Sequence, residues 1–117
     1  MKFYNTLTRK IEEFKPLNPP NVSFYACGPT VYDFTHIGHM MTYTNNDVLK
    51  RALTYLGYKV NHVMNVTDVG HLSGDDDSGE DKMEKGAKKY GKTVWDVGKF
   101  YTEFFFKTTD ALNIIRP

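Results

Sequence analysis

Cysteine is almost missing from this 117-residue chain, where Cys27 is the only one. One thiol forms no internal disulfide and cannot by itself complete a multi-cysteine zinc site. It fits a reducing compartment. Charge of one sign is lacking too. Lys and Arg number 15 against 14 for Asp and Glu, a net charge of +1. No global positive field draws the chain onto nucleic acid, so any RNA contact is local or comes from other parts. No apolar run approaches the roughly 20 residues that span a bilayer. The start, Met1-Lys2-Phe3-Tyr4-Asn5, lacks the apolar stretch of a secretory leader. Together these absences point to a cytoplasmic protein. What is present is core-forming material, 40% hydrophobic and 15% aromatic. That excludes wholesale disorder and suits one domain.

The pattern along the chain is strand, helix, strand, helix. Phe3 to Phe14 reads as a short strand, a Thr/Asn-rich turn and a second short strand or turn. Lys15 to Pro20 is a breaker cluster, because proline fixes φ and removes donors. Val22 to Ala26 is short, rich in β formers and bounded by Pro20 and Gly28, which marks a strand. A helix is expected from Ile37 or Gly38 to Leu56. Leu49, Ala52, Leu53 and Leu56 recur at helical spacing, and Asp47, Lys50, Arg51 and Thr54 share another face. Gly57 suits the position after its end, and Lys50 and Arg51 suit the negative end of its dipole. Tyr58 to Val66 reads as a strand covered on both faces, as in a parallel sheet. This is a βαβ unit with a right-handed crossover. Gly70–Gly79 is an acidic loop, Glu80–Tyr90 a charged helix, and Thr93 the cap of a last helix ending near Ala111. In that helix an aromatic stripe from Trp95 to Phe106 is expected to face the core. It is not read as a base-stacking platform, since such platforms are interleaved with basic residues and only Lys99 and Lys107 of this helix are basic.

Chemistry concentrates in Cys27-Gly28-Pro29-Thr30-Val31-Tyr32-Asp33-Phe34-Thr35-His36-Ile37-Gly38-His39. This is the first joint between strand and helix, where doubly wound sheets bind nucleotides and free N–H groups gather anions. His36 and His39, three apart at a helix start, project to one side. There they can donate to phosphate oxygens, more strongly as charge builds in a transition state. Gly38 leaves room for a flat base or a ribose. Blander readings stand beside these. The two histidines can serve only as helix caps, a lone cysteine is often a small buried hydrophobe, and His62 reads as a partly buried strand residue. Asp75-Asp76-Asp77-Ser78-Gly79-Glu80 fails the calcium-loop pattern, since its glycine falls one position early.

His36-Ile37-Gly38-His39 resembles the signature of class I aminoacyl-tRNA synthetases. Phe3 to Lys10, Glu13 to Pro16, Cys27 to Asp33, Asn65 to Asp68 and Asp110 to Ile114 resemble the cysteinyl-tRNA synthetase family in particular. The resemblance implies an α/β fold. It is the first half of a Rossmann-like, HIGH-type, parallel-sheet nucleotide-binding domain, preceded by a short β-hairpin. Residues 1–117 would then be the N-terminal part of a catalytic domain, incomplete and inactive alone, with Gly70–Gly79 as an inserted acidic loop.

The implied reaction is ATP-dependent activation of cysteine to cysteinyl-adenylate, with Mg2+ accompanying ATP, and transfer to tRNA(Cys). By the same resemblance His36 and His39 are catalytic. Thr30, His36, Gly38 and His39 hold ATP, while Cys27, Gly28, Thr30 and Thr67 line the amino-acid pocket. Cys27 is implied to ligate Zn2+, the other ligands and the Lys-Met-Ser-Lys-Ser loop lying beyond Pro117. Zinc has a physical logic here, because a steric pocket separates cysteine poorly from serine while a soft metal prefers sulfur. Lys82-Met83-Glu84-Lys85 only superficially resembles that loop, since it follows the second strand of the sheet. Met40-Met41 stand where many members have an arginine. Two alternatives stay open: a relative that passes activated cysteine to an amino sugar, and a truncated nucleotide- or partner-binding module without catalysis. A bare sheet edge and helix face are expected to favour self-association.

Overall fold

The computed structural model describes residues 1–68, 87, 91 and 93–117. The acidic stretch Gly70–Gly79, most of the expected helix Glu80–Tyr90, His71 and the Lys82–Lys85 stretch lie outside them. The elements, in chain order, are β1 (Lys2–Asn5), β2 (Lys10–Glu13), β3 (Asn21–Ala26), α1 (Ile37–Tyr55), β4 (Lys59–Met64) and α2 (Val94–Ala111).

β1 and β2 form the expected hairpin, antiparallel from Lys2↔Glu13 to Asn5↔Lys10. The Asn5 side chain accepts from the Leu7 N–H at 3.0 Å and Arg9 takes a left-handed φ of 56°, which turns the chain. Edge-on ring contacts run from Phe3 to Phe14 and on to Tyr58, at 5.3 and 6.0 Å. They tie the hairpin to the residue that precedes β4.

β3 and β4 are parallel neighbours, in register from Asn21↔Lys59 to Ala26↔Met64. A parallel pair needs a crossover, and α1 supplies it. Alternation puts Val22, Ala26 and His62 on a buried face, within reach of the Lys50 and Asp47 charges of α1. Ser23, Tyr25, Asn61 and Val63 lie on the other face, where Tyr25 is 65% exposed. The expected two-sided covering is therefore absent among the described residues, since no element packs on that face.

α2 joins the layers. Phe105 closes a cluster with Met40 and Tyr43 of α1, and Val97 and Tyr101 close another with Val31 and Ala87. Met40 is thus core, whereas Met41 is exposed. The Thr93 hydroxyl accepts from the Asp96 N–H at 3.1 Å and the Asp96 carboxylate accepts from the Thr93 N–H at 3.3 Å, a reciprocal cap. Trp95 departs from the expected stripe: it is 76% exposed. Two residues from Val97 is more than half a helical turn, which turns its ring away from the core. Phe100, at the stripe's margin, packs edge-on against Phe34 at 6.1 Å.

Two readings of α1 are corrected as well. Leu56 is the C-cap, half exposed, and leaves the buried stripe. Lys50 and Arg51 lie before the last turn and do not serve the dipole. Lys50 donates to the Arg116 carbonyl at 2.7 Å and Arg51 to that of Asn113 at 2.6 Å. Asp47, only 7% exposed, accepts from Arg51 Nε at 2.6 Å and from the Ile115 N–H at 2.9 Å. This polar face pins residues 113–116 against α1. Gly57 follows the helix with φ +90°, as its position requires.

Candidate functional site

Beyond Ala26 and Met64 the two parallel strands do not diverge. Val31 N–H donates to the Thr67 carbonyl at 3.0 Å and Thr67 N–H to the Pro29 carbonyl at 2.9 Å. Thr30 and Thr67 therefore sit side by side as a parallel bridge. Gly28 makes this closeness possible. A Cβ built there would lie 1.7 Å from the Asn65 carbonyl oxygen and 2.8 Å from Met64 Cγ. Only a residue without a side chain passes.

Cys27, one residue earlier, is exposed and unoxidised, its Sγ 3.8 Å from the Gly28 carbonyl oxygen. It is not a buried hydrophobe. Its thiol lies near enough to Tyr43 that its charge counts there: burial first, and Cys27 second, push the Tyr43 phenol up to about 12. The described residues contain no group of three metal-ligating side chains. Cys27 fits as one sulfur donor, and a closed zinc sphere needs further ligands from outside those residues.

α1 starts on its histidines. His36 is the N-cap, with Nδ1 accepting from the Gly38 N–H at 3.1 Å, and His39 Nδ1 accepts from the His36 N–H at 3.1 Å. The rings stack at 3.8 Å and 28°. The capping role expected as the blander alternative is real, and it uses one edge of each ring. With Nδ1 accepting, the ring proton resides on Nε2 of each neutral imidazole. Burial, and then the charge of His36, lower the His39 pKa, which favours its neutral form. At Gly38 the nearest neighbour of an added Cβ would be the His36 ring, at 3.0 Å. The glycine makes room for the capping imidazole.

A cavity of about 290 Å3 gathers several nominated residues, lined by Gly28, Thr30, Asp33, Thr35, His39 and Tyr43 among others. Gly28 and Thr30 from the strand end thus share a wall with His39 from the helix start. Cys27, His36, Gly38 and Thr67 are not in its lining. A cavity of about 380 Å3 between Asp68 and the first half of α2 holds none of the nominated residues. The Thr35 hydroxyl is buried without a partner among the described residues. Sequence reasoning missed Tyr43 and Asn65. Tyr43 stands four residues after His39, so helical spacing carried its signal. Asn65 accepts from the Gly28 N–H at 2.8 Å and donates to Thr67 Oγ1 at 2.9 Å. Its neighbours in sequence gave no hint of that reach.

The family model for the class I (C) tRNA synthetase catalytic domain matches residues 13–117. A cysteine–tRNA ligase of Zymomonas mobilis is 53% identical over 98% of this chain and 22% of its own length. Those of Treponema denticola and Borreliella burgdorferi are 54% and 51% identical over the whole chain, each across 24% of its own length. The chain spans about a quarter of the length of the curated relatives it matches. No helix among the described residues is long and apolar enough to cross a membrane. On the family match, the chain belongs to the catalytic domain of class I (C) tRNA synthetases.

Proposed function

We propose that the chain forms the nucleotide- and amino-acid-binding half of a cysteine–tRNA ligase, which activates cysteine with ATP and transfers it to tRNA(Cys). The supporting observation is a cavity whose wall combines Gly28 and Thr30 with His39. In the proposed step the cysteine carboxylate attacks the α-phosphorus of ATP, giving cysteinyl-adenylate and releasing pyrophosphate. His36 and His39 donate their Nε2 protons as hydrogen bonds to phosphate oxygens, while Nδ1 of each stays bound to the helix start. The open N–H groups there add to the attraction for anions. Thr30 and Thr67, paired across the strand ends, face the amino acid. Cys27 contributes one thiolate to zinc, with the other ligands outside the described residues. When bound, zinc supplies a soft Lewis acid that favours a thiolate over an alcohol, and Mg2+ accompanies ATP. The bare sheet face of Tyr25 and Val63 belongs against a further layer of the doubly wound fold. Left uncovered, it promotes self-association.

The experiment is ATP–pyrophosphate exchange with cysteine, followed by tRNA(Cys) charging, on the complete gene product. His36→Asn keeps an N-cap side chain but removes the imidazole. Exchange should fall by about 100-fold or more while thermal stability holds. Exchange within about threefold of the parent rejects the phosphate role. Cys27→Ser should lower zinc content and leave ATP affinity unchanged, and equal zinc content rejects the ligand assignment. Amide formation with an amino sugar in place of tRNA charging would support the relative with that acceptor.

A further inference from the structure

We infer that Asn65 is a positioning residue: one amide fixes the hydrogen-bonding direction of the Thr67 hydroxyl and the placement of the Cys27–Gly28 segment. The inference deepens the amino-acid subsite just proposed and rests on that reading. Asn65 is partly buried just beyond β4. Its Oδ1 accepts from the Gly28 N–H at 2.8 Å and from the Tyr25 hydroxyl at 2.7 Å, and its Nδ2 donates to Thr67 Oγ1 at 2.9 Å. The two ends of the amide cannot be exchanged. A backbone N–H only donates, so the oxygen must face Gly28. The NH2 group then faces Thr67 and only donates, so the Thr67 oxygen must accept.

A hydroxyl that accepts still has its own proton to give. Among the described residues no acceptor takes the Thr67 proton. Asn65 therefore presents Thr67 as a donor toward an acceptor atom of the bound amino acid. The same side chain links β3 to the β4 extension, through Tyr25 and Gly28 on one side and Thr67 on the other. Metal-side and hydroxyl-side contacts of the subsite thus share one anchor, which the peptide bridge between Thr30 and Thr67 alone does not provide.

Asn65→Asp tests this with little change of shape. The carboxylate still accepts from Gly28 and Tyr25, but toward Thr67 it also accepts. The Thr67 proton must then point at the oxygen that replaces the amide nitrogen, and it is withdrawn from the ligand. In exchange assays on the complete gene product, the cysteine KM should rise about tenfold, the effect of one hydrogen bond to a ligand. The ATP KM should stay unchanged. Thr67→Val should raise the cysteine KM similarly. On that background Asn65→Asp should change it by less than about threefold, because the group it acts through is gone. Additive effects, an unchanged cysteine KM in Asn65→Asp, or a parallel rise in both KM values would overturn the inference. Should Asn65→Asp fail to fold, Thr67→Val decides alone, and an unchanged cysteine KM there rejects the donor role. Absence of cysteine-dependent exchange in the unmodified protein would instead reject the functional reading itself, and this inference with it.

Discussion

Gly28→Ala strikes the point where the two strand ends approach most closely. The added methyl would stand 1.7 Å from the Asn65 carbonyl oxygen. That contact is backbone, so no side-chain rotation relieves it, and the chains must separate by more than an ångström. Separation strains the Gly28–Asn65 hydrogen bond and the two backbone hydrogen bonds that join Thr67 to Pro29 and Val31. Overpacking of this kind costs roughly 1–3 kcal/mol, and weakened hydrogen bonds add about 1 kcal/mol each. The total is about 4–6 kcal/mol. At about 4 °C per kcal/mol for a chain of this size, Tm should fall by about 16–24 °C. Circular dichroism on heating measures it. Gly57→Ala is the comparison, because Gly57 has φ +90° and nothing within 4 Å. That variant meets only backbone strain, about 1–2 kcal/mol. If Gly28→Ala lowers Tm no more than Gly57→Ala does, the close approach of the strand ends is wrong.

Thr93→Ala removes the reciprocal cap of α2 and should cost about 1 kcal/mol in urea unfolding. Asp47→Ala strands the Ile115 N–H and leaves Arg51 only its bond to the Asn113 carbonyl. With Arg51 partly solvated, the expected loss is about 2 kcal/mol, and hydrogen exchange at Ile115 should accelerate. His62 is 8% exposed, with neither ring nitrogen bonded among the described residues, and stacks on Phe24 at 4.3 Å. Burial, then the Lys50 charge, lower its pKa below the ordinary 6.5, against a smaller opposite pull from Asp47. The unfolded chain then takes up the proton first, so stability should decline as pH falls below about 6.5. His62→Phe should flatten that decline, and an undiminished slope in the variant would place the titration elsewhere.

Strands and helix ends were readable because local signals agree with the fold. Pro20 and Gly28 bracket β3, Gly57 follows α1, and Thr93 with Asp96 opens α2. The pairing of His36 with His39 followed from spacing, and helix capping was one of the two roles that spacing allowed. Asp47 was not legible as a buried anchor, since its Ile115 partner lies 68 positions away. Asn65 was hidden for the same reason, with Gly28 37 positions distant. Trp95 breaks the stripe because aromatic content alone does not mark one face of a helix. The 3.6-residue period alone sets it apart from Val97 and Tyr101.

The two helices begin with the same reciprocal device built from different chemistry. α2 uses Thr93 with an aspartate, whose negative charge offsets the positive end of the helix. α1 uses two imidazole rings, and its first turn carries no acid. Each cap satisfies two amides, but only the second leaves its electrostatic pull unspent. A carboxylate at position 36 or 39 would hold the backbone equally well and repel a polyanion. The histidines make the start of α1 at once stable and hospitable to negative charge.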